Sequence, residues 1–214
     1  MDSLIYILFV SLFVPLFLMM LLVENKARLP IVFVLVGMFV AVFSSEVNGV
    51  LLNVLDMTRH DATITLAPIT EELLKAFPIL FFAVAMSDKK EKLFTASMAT
   101  GIGFALLENA YYMIANYETF SFVSSLIRGF GTGLMHGMCT LLVGFGISFI
   151  RKRRKLFAVG TFALLTTAIT YHSIFNMLVQ SKHPMFGALL PLVTYLPFLI
   201  WRCFKNKDKT KSGT

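Results

Sequence analysis

The sequence predicts an all-α fold, a polytopic transmembrane helical bundle of about seven spans, and three observations carry the prediction. Hydrophobic residues make up 57% of the 214 and charged residues 14%, with a mean hydropathy of +0.78. That balance leaves too little polar surface for a water-soluble domain. The apolar residues fall in runs long enough to cross a hydrocarbon layer of ~30 Å at ~1.5 Å per residue. The basic residues lie between those runs far more than within them, as they do in the loops of membrane proteins.

The runs give spans at Leu4–Val23, Pro30–Leu55, Thr63–Met86, Leu93–Tyr117, Phe122–Ile150, Leu156–Val179 and Phe186–Phe204. The first lacks a basic leading segment and a small-residue cleavage site, so it reads as a retained span and not as a cleavable signal. Pro191 and Pro197 interrupt the last, and the basic tail behind it, 205–214, favours a crossing. All but four of the 19 Lys and Arg residues sit after spans one, three, five and seven, including the run Arg151–Lys155. By the positive-inside rule the N-terminus is outside and the C-terminus cytoplasmic. The expectation is one integral-membrane domain over 1–214, its core motifs within 63–180, in a multi-pass protein of the cell membrane. The net charge of +7 is then a topology anchor against the lipid bilayer, and no nucleic-acid partner is implied. Cys139 and Cys203 have no metal-ligand spacing and read as packing residues.

Span three breaks the apolar pattern with Glu71, Glu72 and Lys75. An ionised side chain at mid-bilayer costs ~2.5 to 3.5 kcal/mol on insertion scales, so three in five positions need a reason. On a helix Lys75 reaches either carboxylate, neutralising one and leaving the other free to act. Pro68 and Pro78 bracket the cluster and suggest a bent, locally hydrated helix. A structural ion network is the plain alternative.

The topology also fixes depth. Glu71, Glu108, His136 and His172 each lie roughly 8 to 16 residues, or ~12 to 24 Å, from the outer end of their span. Four helices thus place acidic and imidazole groups in one layer. His172 and Asn176 share a helical face. Gly101 and Gly103 allow close helix approach before Glu108 and Asn109, and the stripe Gly129, Gly133, Gly137 reads as a packing seam that presents His136. Glu46 reads as structural, and His60 and His183 as solvated loop residues. Carboxylates and imidazoles at one depth make a hydrolytic kit. A buried glutamate can deprotonate water, while histidines either hold a Zn²⁺ that acidifies the water or donate hydrogen bonds to an oxyanion. Glu108, His136 and His172 are the candidate ligands if a metal is used. HExxH and GxSxG are both missing from the sequence, so water is the expected nucleophile.

Glu71-Glu72-x-x-Lys75, then Gly101-x-Gly103-Phe-Ala-x-x-Glu108-Asn109, then Arg128 ahead of His136, then His172-x-x-x-Asn176 together resemble the PrsW family of intramembrane proteases, within the wider CAAX-protease and bacteriocin-processing superfamily. The resemblance covers Glu71 to Asn176. It implies site-1 cleavage of a membrane-anchored, single-span anti-sigma factor on its extracytoplasmic side, as the start of a stress-response cascade. It further implies that Glu71 activates the water with Glu72 in support, that His172 and Asn176 hold the water or oxyanion, and that Glu108 and His136 complete the site. Lys75, Asn109 and Arg128 take supporting places. Two positions depart from the CAAX-type pattern: Lys75 stands where that group has an arginine one position later, and Glu108 where it has a histidine.

Two other classes fit mid-membrane carboxylates and histidines. A proton- or cation-coupled transporter would use them as a relay, although the chain has no internal repeat. A non-catalytic scaffold or immunity protein would keep its function without Glu71 and Glu72.

Overall fold

The computed structural model describes residues 3–118, 121–150 and 154–211. These residues are helical, with no strand among them. Seven long helices, α1 (Ser3–Leu22), α2 (Asn25–Val54), α4 (Ala67–Ala85), α5 (Lys90–Ala115), α6 (Phe122–Ile147), α7 (Arg154–Val179) and α8 (Pro184–Lys211), track the seven expected spans. Leu4–Leu22, Ala27–Val54, Arg128–Ile147 and Phe157–Val179 are long and apolar enough to cross a membrane. Helix α4 is absent from that set because Glu71, Glu72 and Lys75 fall within its 19 residues. Residues 151–153 of the basic run, and the side chains of the basic tail, lie outside the described part.

The connection between α2 and α4 is where the backbone departs from regular helix. The chain leaves α2 through Asp56 at φ 50°, a left-handed conformation that Asp tolerates better than most residues. Thr58 then caps the single turn α3 (Arg59–Asp61), its hydroxyl accepting from the Asp61 N–H. Next comes a π-helical turn over Ala62–Leu66, in which the Ala67 N–H reaches back to the Ala62 carbonyl. Pro68 explains the widening, since it has no N–H for the carbonyl four residues back and its ring pushes that carbonyl away. The irregularity expected around the Pro68 to Pro78 cluster thus lies before α4, with Pro68 in the first turn and Pro78 inside a continuous helix.

Helix α6 is the axis of the bundle: 72% of its apolar window is buried, against 6% for α1. Close crossings depend on missing side chains. A Cβ on Gly101 would overlap the His136 carbonyl, and one on Gly103 the Val34 carbonyl of α2. The expected seam on α6 packs differently. Only Gly137 meets a neighbour, Met98 of α5, while a Cβ on Gly129 or Gly133 would meet nothing within 4 Å. The reason is geometric: α5 runs along the face of α6 that carries His136, Gly137 and Gly144, and Gly129 and Gly133 turn away from it. Gly131, one face round, is the glycine that lets α8 approach, at Ala188.

Two apolar clusters flank the polar layer. Ile79, Phe82, Leu93, Met135, Cys139 and Val143 fill one side between α4, α5 and α6. Ile5, Met38, Phe104 and Leu107 join α1 to α2 and α5 on the other. Glu46 lies apart from the polar layer and accepts from the Tyr6 hydroxyl, tying α1 to α2.

Candidate active site

Helix α4 divides its charges by face. Glu72 and Lys75 lie one turn apart on the buried side, with Lys75 Nζ 2.6 Å from Glu72 Oε1 and neither side chain exposed. Glu71, about 100° round the helix, lines a cleft instead. Adjacent carboxylates therefore meet opposite surroundings, as a helix requires of neighbours in sequence.

Lys75 is the hub. Its ammonium group also approaches His136 Nδ1 at 2.7 Å and sits 4.6 Å over the Phe104 ring. An ammonium only donates, so His136 Nδ1 accepts and its proton resides on Nε2. That Nε2–H donates to Glu108 Oε2 at 2.8 Å. Glu108 Oε1 in turn pairs with Arg128 at 3.3 Å, and the Arg128 guanidinium lies 3.8 Å over the Tyr112 ring.

On α7, His172 directs Nδ1 to Glu72 Oε1 at 2.9 Å. Because that carboxylate is an acceptor held by Lys75, Nδ1 carries the proton and Nε2 is left as a lone pair. This lone pair faces Glu71 Oε2 at 3.8 Å, and the Glu71 oxygen is buried with no partner. Two acceptors confronting one another across 3.8 Å call for a donor between them. A water or a cation fits.

Of the residues the sequence singles out, Glu71, Glu72, Lys75, Glu108, Arg128, His136 and His172 form one connected cluster. The imidazoles of His136 and His172 stand edge to face, 4.8 Å apart. Asn176 also lines the cleft, but its amide donates to the Thr63 carbonyl at 2.9 Å and so braces the π turn ahead of Glu71. Asn109 lies outside the cluster, its buried Oδ1 without a partner. Sequence reasoning missed Tyr112 as the ring beneath Arg128 and Asn48, which accepts from the Thr70 hydroxyl beside Glu71. The polar run Ser44, Ser45 and Asn48 on an apolar helix was the available signal for the second.

A metal ion has a place here. The ligand atoms that converge, all within 4.8 Å, are those of Glu71, His136 and His172. Glu71 takes the position expected for Glu108, whose oxygens turn to His136 and Arg128. One carboxylate with two imidazoles is a catalytic-zinc type of donor set. Glu72 behind His172 is the outer-shell carboxylate that orients such a ligand. The unpartnered Glu71 oxygen and the free His172 nitrogen fit such an ion as they stand, whereas His136 Nε2 would join them only by giving up both its bond to Glu108 and the proton it carries.

The cleft over this cluster holds about 490 Å³ and is lined by Glu71, Glu108, Arg128 and Asn176. Fold and site together define a polytopic membrane protein whose helices enclose a carboxylate and imidazole centre suited to hydrolysis. The chain belongs to the PrsW family: residues 25–202, from the start of α2 into α8, match the family described as PrsW family intramembrane metalloprotease. It is accordingly an intramembrane protease. No curated protein and no solved structure matches the chain.

Proposed function

We propose that the protein cuts a single-span membrane protein of the anti-sigma-factor type on its extracytoplasmic side, with water activated by Glu71. The observation that carries this reading is the pair of facing acceptors, Glu71 Oε2 and His172 Nε2, at the floor of a cleft. The outer part of the cleft is lined by Leu52 near the end of α2, Arg59 in α3 and Gln180 just past α7, on the side opposite the basic loops. With those loops cytoplasmic, the cleft opens outward, where the exposed part of a single-span substrate would reach it.

In the proposed reaction a water between Glu71 and His172 donates to both. Glu71 takes one proton as the water oxygen attacks the scissile carbonyl carbon, and His172, fixed by Glu72, orients the water. The carbon–nitrogen bond then breaks, and Glu71 returns the proton to the leaving amine. Lys75 holds the Glu72 carboxylate in place and fixes the tautomer of His136, whose Nε2–H lies beside the cleft-lining Glu108. A zinc ion, if held by Glu71, His136 and His172, would lower the pKa of bound water and polarise the carbonyl.

The test compares cells that express the wild-type chain, Glu71→Gln, Glu72→Ala and His172→Ala, by mapping new N-termini in membrane proteins. Cleavages that vanish in all three variants, clustered at the outer ends of single spans, are expected. Removal of the general base should cost ~10² to 10⁴ in rate. The same assay on purified protein with and without a zinc chelator reports metal dependence. Unchanged cleavage in all three variants would end the proposal.

A further inference from the structure

We propose that Arg128 holds a backbone carbonyl of the bound substrate through its Nε–H, an inference that rests on the protease reading above. Three features of this residue converge. Its guanidinium is stacked on one face over Tyr112 at 3.8 Å and held at one edge by Glu108 at 3.3 Å. Its Nε is buried with no acceptor. It also lines the same cleft as Glu71. A buried donor without an acceptor costs ~1 to 3 kcal/mol, so an arginine in that condition at a cleft wall gains when an entering chain shifts the rim and brings an acceptor to its Nε–H. Among the described cleft-lining residues, Arg128 Nε is the one buried side-chain donor left in this state, and Glu71 Oε2 the one buried acceptor.

The chemistry of the surroundings selects the acceptor. Glu108 already supplies a carboxylate to this guanidinium and is itself exposed to the cleft. A second carboxylate would be repelled by it. A neutral carbonyl would not. The substrate brings such groups of necessity, because a peptide bond inside a helix is reached only after the helix is locally unwound. Each carbonyl so released in an apolar setting costs several kcal/mol until a donor meets it. Arg128 offers that donor in the cleft that holds the attacking water. The two unpartnered atoms divide the substrate between them, the arginine N–H taking a carbonyl and the glutamate oxygen the nucleophile.

The experiment uses the full chain reconstituted with the single-span substrate identified by Glu71-dependent cleavage. Arg128→Lys keeps a cation beside Glu108 but loses the fixed planar Nε–H. Arg128→Gln removes the charge as well. Both should raise KM by about tenfold or more, as expected for a hydrogen bond from a charged group, with kcat within about threefold. Binding of uncut substrate to Glu71→Gln should weaken by the same factor when Arg128→Lys is added, and the thermal unfolding midpoint of Arg128→Lys should stay unchanged. An Arg128→Lys variant with wild-type KM overturns the assignment, as does a loss confined to kcat. If no membrane protein is cut in a Glu71-dependent way, the reading of Glu71 as the base fails first and this inference with it. If Glu71→Gln is inert while Arg128→Lys is normal, only the role of Arg128 falls.

Discussion

Two regions of this site are built from the same three kinds of group and behave in opposite ways. The inner knot joins Glu72, Lys75 and His172 with contacts of 2.6 and 2.9 Å, and Glu72 and Lys75 are fully sealed from solvent. The rim joins Glu108 and Arg128 above the fully buried His136, with the cation 3.3 Å from a carboxylate that is 37% exposed. Burial makes the difference. In the knot each charge depends wholly on its partner, so the group is rigid and orders its neighbours. At the rim water and the cleft screen the pair, so it can trade contacts with an incoming chain. The helix that carries Glu72 inward turns Glu71 to the cleft, which places its unpartnered oxygen at the boundary between the two.

The largest expected effect is in the knot. Lys75→Met leaves Glu72 as a buried charge without its cation, and breaking such a pair costs ~3 to 5 kcal/mol. Equilibrium unfolding in detergent should register that loss, and Glu72→Gln in the same chain should recover much of it. A Lys75→Met protein within ~1 kcal/mol of wild type would mean that the knot is not sealed. The rim should respond weakly to the matching change. Glu108→Gln removes a partly exposed partner and should shift stability by no more than ~1 kcal/mol. A drop for Glu108→Gln as large as that for Lys75→Met would erase the contrast.

How far the sequence anticipates this site follows from what helical periodicity encodes. The seven helices were legible because each apolar run has the length of a span, and charged or turn-forming residues punctuate the runs. The meeting of Glu71, Glu108, His136 and His172 was legible because depth can be counted along each helix once the basic loops set orientation. Rotation about each helix axis is what counting does not supply. It decides that Glu71 converges with both imidazoles while Glu108 meets His136 alone, and that the Asn176 amide goes to the Thr63 carbonyl. The π turn was hidden for another reason. Five residues, Ala62–Leu66, are too few to show a period, and only Pro68 marks the place.

The smallest effects concern glycines, and they probe the same contrast without touching a charge. Gly101 lies where α5 crosses α6 at the His136 backbone, and a Cβ on Gly133, about one turn before His136 on α6, would meet nothing within 4 Å. Their sequence contexts look alike, small residues in apolar helices, yet the structure gives them opposite signs. Gly101→Ala must push α5 away from His136, since a Cβ there would overlap main-chain atoms that cannot rotate aside. The cost should be ~1 to 3 kcal/mol, and the displacement of His136 from Lys75 and Glu108 should lower kcat as well. Gly133→Ala meets no atom and gains helix propensity, so it should stabilise the chain by up to ~1 kcal/mol. Unfolding midpoints of the two variants, measured side by side, decide the matter. If Gly133→Ala destabilises as much as Gly101→Ala, a helix packs on that face of α6 and the rim is as closed as the knot.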